Sequence, residues 1–286
     1  MAVHQRDYRP YGSSPPARGP RWLVLPRFAL ADLTKSKLLI AFFALCLIPP
    51  LYYLTVVYLR HSAAILQFFP GLDLERLISI DADFFAQFAR IQAGFGFFLT
   101  LFVGPGLVSR DLANNALPLY LARPLSRVEY VVGRLTVLIL LLSLISWIPG
   151  LIVVALQAGY VDGWLGANLG IPIGLVGGAW MWMITLGLLA LAVSAWVRWK
   201  PIAALVIFLF LASGTFLATL INGLFGTSYG KMVDLGAVLS ILWTRWIGGV
   251  TSSDLPTAAA LVSLVTFLSL FVALLALKIK PYRTVS

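Results

Sequence analysis

The sequence predicts an all-α membrane protein with six transmembrane helices, and three observations predict it. First, 60% of the 286 residues are hydrophobic and only 11% are charged, with a mean hydropathy of +0.93, whereas soluble domains carry about 25% charged residues. Second, six stretches without Asp, Glu, Lys, Arg or His are long enough to cross a bilayer. Third, lysines and arginines concentrate in alternate connecting segments, as in multi-pass membrane proteins.

The six uncharged stretches predict membrane spans because a helix of about 20 apolar residues crosses the hydrocarbon core. Pro49-Pro50 in the first span and Pro149 in the third predict kinked helices. The apolar segment 233–246 is too short to cross and predicts a re-entrant or surface helix. The second uncharged stretch is 91–108, and its helix is predicted to start earlier because Phe84, Phe85 and Phe88 extend the apolar face. The predicted spans cover about 38–59, 84–108, 135–156, 171–197, 201–224 and 257–277, within one transmembrane domain at 38–286.

The N-terminal 37 residues divide into two parts. Residues 1–20 are rich in Pro, Arg, Gly and Ser and predict a disordered cytoplasmic tail. In 21–37, apolar residues alternate with Arg and Lys, which predicts an amphipathic helix at the membrane interface, with its cations near anionic lipid headgroups. A solvated linker is the alternative for this segment.

The basic residues predict the orientation of the chain. Of the 21 Lys and Arg residues, sixteen lie in 1–37, 109–134, 198–200 and 278–286, which share one side if the chain crosses six times. The positive-inside rule then places both termini in the cytoplasm. We expect a multi-pass protein of a bacterial-type cytoplasmic (inner) membrane. The net charge of +10 is thereby explained without a nucleic-acid partner.

The sequence contains no pattern typical of a catalytic or metal site. There is one cysteine, Cys46, and two histidines lie far apart. Gly230-Lys231 is followed by Met232 and lacks the upstream glycine of a phosphate-binding loop. Asp81 and Asp83 form either a weak metal pair or the N-terminal acids of the second span. We therefore expect no catalytic residues, no metal and no cofactor in this chain.

The segment 109–134, between the second and third spans, carries the most information. It is too apolar for a free loop, Pro124 interrupts any helix before it, and Ser126-x-x-Glu129 predicts a capping box at the start of the next helix. These features predict two short helices beneath the membrane, joined at Arg123-Pro124. The segment is either a structural elbow or a docking surface for a cytoplasmic partner.

The residues of this segment resemble the membrane subunit of type-2 ABC transporters. That family shows an Asp after the second span, a Leu-rich stretch, and Pro-x-Ser-Arg-x-x-Tyr-x-x-Gly-Lys entering the third. Arg134 replaces the lysine and keeps its charge, whereas Asn114-Asn115 replaces a common Gly-Thr pair. The matching positions are Asp111, Leu119, Leu121, Arg123, Pro124, Ser126, Arg127, Tyr130 and Gly133.

The resemblance implies a permease with a cytoplasmic coupling helix between spans two and three. A separate ABC ATPase subunit would hold ATP and Mg and dock on this loop, and a second permease copy or a paralogue would complete the substrate path. The uncharged spans favour export of a lipid-like, peptide or other amphiphilic substrate. The residues implied in ATPase docking are Arg110, Asp111, Leu119, Arg123, Pro124, Ser126, Arg127 and Tyr130.

Two further patterns lie within the spans. Small residues at every fourth position allow close helix approach, either within the chain or at a dimer face; these are Gly166, Gly170, Gly174 and Gly178. Polar residues on one face of span five form hydrogen bonds or a candidate translocation surface; these are Thr215, Thr219 and Asn222.

Three other functions remain as alternatives. A secondary transporter or channel usually carries ionisable residues inside its spans, and the six uncharged stretches count against it. A membrane-embedded enzyme would need acids, bases or metal ligands clustered at one interface. A structural subunit of a membrane complex without transport activity is the third alternative.

Overall fold

The computed structural model describes residues 24–62, 78–114, 126–251 and 253–278. Within these ranges every element is helical, which confirms the all-α part of the predicted fold class. A short 3-10 segment covers Tyr229–Val233. The helices are α1 (Val24–Leu33), α2 (Lys37–Cys46), α3 (Ile48–His61), α4 (Ala82–Ala113), α5 (Arg127–Ile145), α6 (Trp147–Tyr160), α7 (Trp164–Ala167), α8 (Gly170–Trp196), α9 (Lys200–Phe225), α10 (Leu235–Ile247) and α11 (Thr257–Lys278).

In the part of the chain that the structure describes, six helical segments are long and apolar enough to cross a membrane, as predicted. The third span begins at Arg127 instead of 135, because the capped helix predicted from Ser126 continues into the membrane-spanning segment. We call the two ends of the bundle the Asp111 end and the Asp83 end. The spans are Lys37–His61, Ala82–Ser109, Arg127–Tyr160, Gly170–Trp196, Lys200–Phe225 and Thr257–Lys278.

Spans one and three are each broken near their middle, as their prolines predict. The breaks fall at Leu47, between α2 and α3, and at Ser146, between α5 and α6. Both breaks meet Gln92 of α4, which is fully buried. Its amide nitrogen donates to the carbonyl oxygen of Cys46 at 3.1 Å and also to that of Ile145. Gln92 thus supplies a donor to carbonyl groups at the two points where the helices are interrupted.

Replacing Gln92 with leucine is expected to destabilise the chain by about 1–3 kcal/mol, because both carbonyl groups would lose a buried donor. The matched control is Gln87→Leu, an exposed glutamine on the same helix, which should change stability little. Thermal unfolding of the purified variants in detergent measures both effects. Equal melting temperatures for the two variants would show that Gln92 does not support the breaks.

Span four lies at the centre of the bundle. Its helix α8 packs against α4, α5, α10 and α11. In its most apolar window 61% of the residues are buried, compared with 17% in span five. Span five therefore leaves most of its surface facing lipid or another protein, whereas span four is covered over the larger part of its surface by this chain.

The segment between spans five and six folds back along the bundle as a re-entrant hairpin. From the Asp83 end, the 3-10 segment runs beside α9 to Asp234, whose backbone lies against Gly214, near the middle of α9. Helix α10 then returns along α8 towards the Asp83 end. Two side-chain bonds hold the hairpin: Gly230 N–H donates to Asn222 Oδ1 at 2.8 Å, and Lys231 Nζ donates to Ser253 Oγ at 3.1 Å. Of the two predicted alternatives, the structure has the re-entrant helix.

Candidate functional site at the ends of spans two and three

The loop predicted to dock a partner begins and ends in well-defined helices. Helix α4 continues past span two to Ala113, and α5 begins at Arg127. The predicted capping box is confirmed. Ser126 Oγ accepts a hydrogen bond from Glu129 N–H at 3.2 Å, and Glu129 Oε2 accepts one from Ser126 N–H at 2.7 Å. This reciprocal pair of hydrogen bonds fixes the direction in which the chain enters α5.

Three polar side chains join the two helices that flank the loop. Tyr130 donates its hydroxyl hydrogen to Asp111 Oδ2 at 2.6 Å, and the Arg134 guanidinium makes an ion pair with the same oxygen. Arg134 also lies over the Tyr130 ring, 5.6 Å from its centroid. We call Asp111, Tyr130 and Arg134 the Asp111 cluster. It connects the end of α4 to the first two turns of α5.

The Asp111 cluster is largely shielded from solvent. The side chains of Arg134 and Asp111 are 10% and 12% exposed, and Tyr130 is 1% exposed. An ion pair this buried is costly to break, because removing one partner leaves the other charge unpaired in a poor solvent. The two ends of the loop are therefore held together within the chain.

The sequence prediction places Asp111 and Tyr130 among the docking residues of the loop, and in the structure both make contacts within the chain. Tyr130 is 1% exposed, and Asp111 Oδ2 accepts from the Tyr130 hydroxyl and pairs with Arg134. Docking of an ATPase at these two positions stays a prediction. A signal for the contacts within the chain exists in the sequence. Tyr130 and Arg134 are four residues apart, so they lie on one face of a helix that starts beside the acid.

The remaining predicted docking residues fall into three groups. Ser126 and Arg127 are exposed at the start of α5. Arg110 lies on α4, and its side chain is outside the described part of the structure. Leu119, Arg123 and Pro124, together with the predicted short helix beneath the membrane, lie outside the described residues.

Helix α1 lies beside the Asp111 cluster. It packs on α5, and Phe28, Ala29 and Leu33 line a cleft of about 290 Å³ that also reaches Asp111 and Arg134. Asp32 and Lys35 form an exposed ion pair at 3.7 Å. Within the predicted segment 21–37 a helix is present from Val24 to Leu33, and its place at the membrane interface stays a prediction.

The predicted glycine stripe is divided between two helices. Gly174 and Gly178 pack against α10, where the backbone of Trp246 and the ring of Trp243 leave no room for a side chain. These two glycines follow the alternative of packing within the chain. Gly166 lies in α7 and Gly170 at the start of α8, and a methyl group added at either would have no neighbouring atom within 4 Å.

The polar residues of span five also make local hydrogen bonds. Thr215 and Thr219 are exposed, and each donates to a carbonyl oxygen one turn earlier in α9, at 3.4 and 2.9 Å. Asn222 accepts the bond from Gly230 that holds the re-entrant hairpin. Back-bonding of this kind is common for threonine in membrane helices, and the translocation surface stays a prediction.

The acids at the Asp83 end cap a helix and hold a loop. Asp81 Oδ1 accepts from Phe84 N–H at 3.1 Å, which is the bond expected at a helix N-terminus. Asp83 Oδ1 accepts from Val250 N–H at 2.7 Å and so ties the chain after α10 to the start of α4. In the described ranges, no three His, Cys, Asp or Glu residues group closely enough to hold a metal ion.

No family model matches the chain, and no curated protein matches it.

Proposed function

We propose that this chain is the transmembrane permease subunit of an ATP-driven ABC transporter. In this proposal it exports a lipid-like, peptide or other amphiphilic substrate, and a separate ATPase subunit binds ATP and Mg and docks on 109–134. The chain itself performs no catalysis. It resides in a bacterial-type cytoplasmic membrane with both termini in the cytoplasm, and α1 lies at the membrane interface.

The Asp111 cluster is the observation that supports this proposal most directly. An ATPase that moves a loop does useful work only if the loop transmits the displacement to the spans. Asp111 and Tyr130 are two of the positions at which the chain resembles the family, and Arg134 takes the place of its lysine. The buried contacts of these three residues join span two to span three next to the loop, where a docked ATPase would push.

The packing of the bundle suggests how such a displacement would spread. Spans two and three both pack on α8, and the re-entrant helix α10 packs against α8 and α4. The breaks at Leu47 and Ser146 divide spans one and three into two halves each. In the proposed mechanism of alternating access, the halves near the Asp111 end move with the ATPase while the outer halves respond through α8.

A second permease copy or a paralogue completes the proposed transporter. Most of span five is exposed, and its apolar side chains include Leu205, Phe208 and Phe216. Lipid or a partner helix would cover this surface equally well by hydrophobicity alone. We assign it to the partner permease because the family resemblance implies a paired assembly.

Charge reversal in the loop tests the docking proposal. A phosphate-loop ATPase should co-purify with the tagged chain from its native membrane, and the double variant Arg123→Glu, Arg127→Glu should lose it. In the variant two carboxylates replace the two cations, and they would repel an acidic docking surface on the ATPase. Mass spectrometry of the purified complex provides the measurement. The control is Arg198→Glu, an exposed arginine at the same end but outside the loop. If the ATPase co-purifies equally with both variants, the loop is not its docking site.

A further inference from the structure

A cavity of about 350 Å³ lies between α4, α8, α9 and α10. Its walls are mainly apolar, and the two indole rings of Trp182 and Trp243 are each only 4% exposed. The exposed residues of the lining are Arg90 and Gly236, so the cavity opens beside them. It has room for about a dozen groups of the size of a water molecule, which suits one hydrocarbon chain.

Arg90 stands at the opening of this cavity. It lies eight residues into α4, about 12 Å along the helix from its start. Among the described residues it makes no hydrogen bond and no ion pair. An arginine within a span is costly unless water or an anion accompanies it. The position therefore calls for a negatively charged group at the mouth of an apolar cavity.

A second, polar recess of about 420 Å³ shares Arg90 with the cavity. It lies at the Asp83 end, and its other lining residues include Asp81, Asp83 and Gln87. Along the bundle axis, the lining residues are thus first apolar, then the cation of Arg90, and then the two carboxylates of Asp81 and Asp83. The carboxylates accept backbone hydrogen bonds, and they face the recess with their charge.

We propose that this pair of cavities binds a zwitterionic phospholipid by one acyl chain and its headgroup. The acyl chain occupies the apolar cavity, the phosphate pairs with Arg90, and the ammonium group faces Asp81 and Asp83. The order of charges in such a lipid matches the order in the protein, since its phosphate lies next to the apolar part and its amine lies further out. This inference rests on the proposed transport function and names its substrate class.

Titration of the purified full chain with lysophosphatidylethanolamine tests the proposal. This probe has one acyl chain, a phosphate and an ammonium group. Native mass spectrometry from detergent measures the bound fraction. Arg90→Gln should weaken binding about tenfold, which is the usual worth of a charge-assisted hydrogen bond. The matched control is Arg60→Gln, an arginine near the same end of the bundle, which should bind like the natural chain. Equal affinity in the two variants would overturn the proposal.

Two further measurements test separately how the lipid headgroup and the acyl chain contribute to binding. Lysophosphatidylglycerol keeps the phosphate and lacks the ammonium group, so it should bind several-fold more weakly; equal binding would refute the role of Asp81 and Asp83. Ala93→Leu adds bulk to the cavity wall and should weaken binding of both probes. Unchanged binding in this variant would show that the acyl chain of the lipid lies outside this cavity.

The titration needs neither ATP nor an ATPase, so its outcome is independent of docking. If an ATPase co-purifies through the loop but lysophosphatidylethanolamine binds without regard to Arg90, the lipid site is wrong and the transporter proposal stands. If the lipid binds through Arg90 and no ATPase associates with the loop, the transporter proposal is wrong and the lipid site stands.

Discussion

Replacing Arg134 with leucine should destabilise the folded chain by about 3–5 kcal/mol, the usual cost of removing one partner from a buried ion pair. The Asp111 carboxylate would remain in a largely buried position, 12% exposed, with only the Tyr130 hydroxyl to stabilise its charge. The measurement is the loss of folded, monodisperse protein on heating in detergent. Arg134→Lys keeps the charge and should retain a large part of the stability.

The double variant Asp111→Leu, Arg134→Leu separates pairing from packing. Removing both charges leaves no unpaired group, so this variant should be more stable than Arg134→Leu alone. If the double variant is as unstable as the sum of the two single variants, the residues contribute separately and the Asp111 cluster is not a coupled unit.

Tyr130→Phe removes one hydrogen bond to the Asp111 carboxylate and should lower the stability of the folded chain by about 1.5–3 kcal/mol.

The helices and their order can be predicted from the sequence because each span leaves a long local signal. Six runs of apolar residues, Pro49 and Pro149 at the breaks, and Ser126-x-x-Glu129 at a helix start are all readable over a few residues. The sequence places the start of the third span too late, since Tyr130 and Arg134 make its first turns look polar although they are buried in the structure.

The polar contacts between distant segments cannot be predicted in this way. Gln92 donates to the carbonyl groups of residues 46 and 145, and no residue near Gln92 in the sequence predicts either hydrogen bond. The sequence predicts a re-entrant or surface helix at 233–246 but does not give its depth. The hairpin brings Asp234 to the middle of α9, where it is 6% exposed and caps α10 by accepting from the Ala237 N–H at 3.1 Å. The absence of charge in the bundle therefore applies to the six uncharged stretches and not to the hairpin between them.

Helix α4 connects the features that the proposals use. It runs without interruption for 32 residues, through Pro105, and carries Arg90 and Asp111 near its two ends. Gln92 on the same helix meets the breaks of spans one and three. A long continuous helix can transmit displacement along its axis, whereas the neighbouring spans one and three are interrupted at Leu47 and Ser146. This arrangement would link an event at the loop to the opening of the cavity beside Arg90.

Replacing Gly174 with alanine is expected to be among the most damaging small substitutions in the chain. A methyl group there would overlap the backbone carbonyl of Trp246, and backbone cannot move aside as a flexible side chain can. The whole of α10 would have to shift away from α8, with a cost at or above the upper end of the usual range of about 1–3 kcal/mol for overpacking.

The matched control for Gly174→Ala lies one turn earlier in the same helix. Gly170 has no atom within 4 Å of the position of an added methyl group, so Gly170→Ala should leave the melting temperature unchanged or slightly raised. Because Gly178 and Trp243 form the next contact along this interface, a displaced α10 would also deform the cavity that Trp243 lines. Gly174→Ala should therefore weaken binding of lysophosphatidylethanolamine as well as lower the melting temperature. A variant as stable as Gly170→Ala would mean that α10 does not pack on α8 at this point.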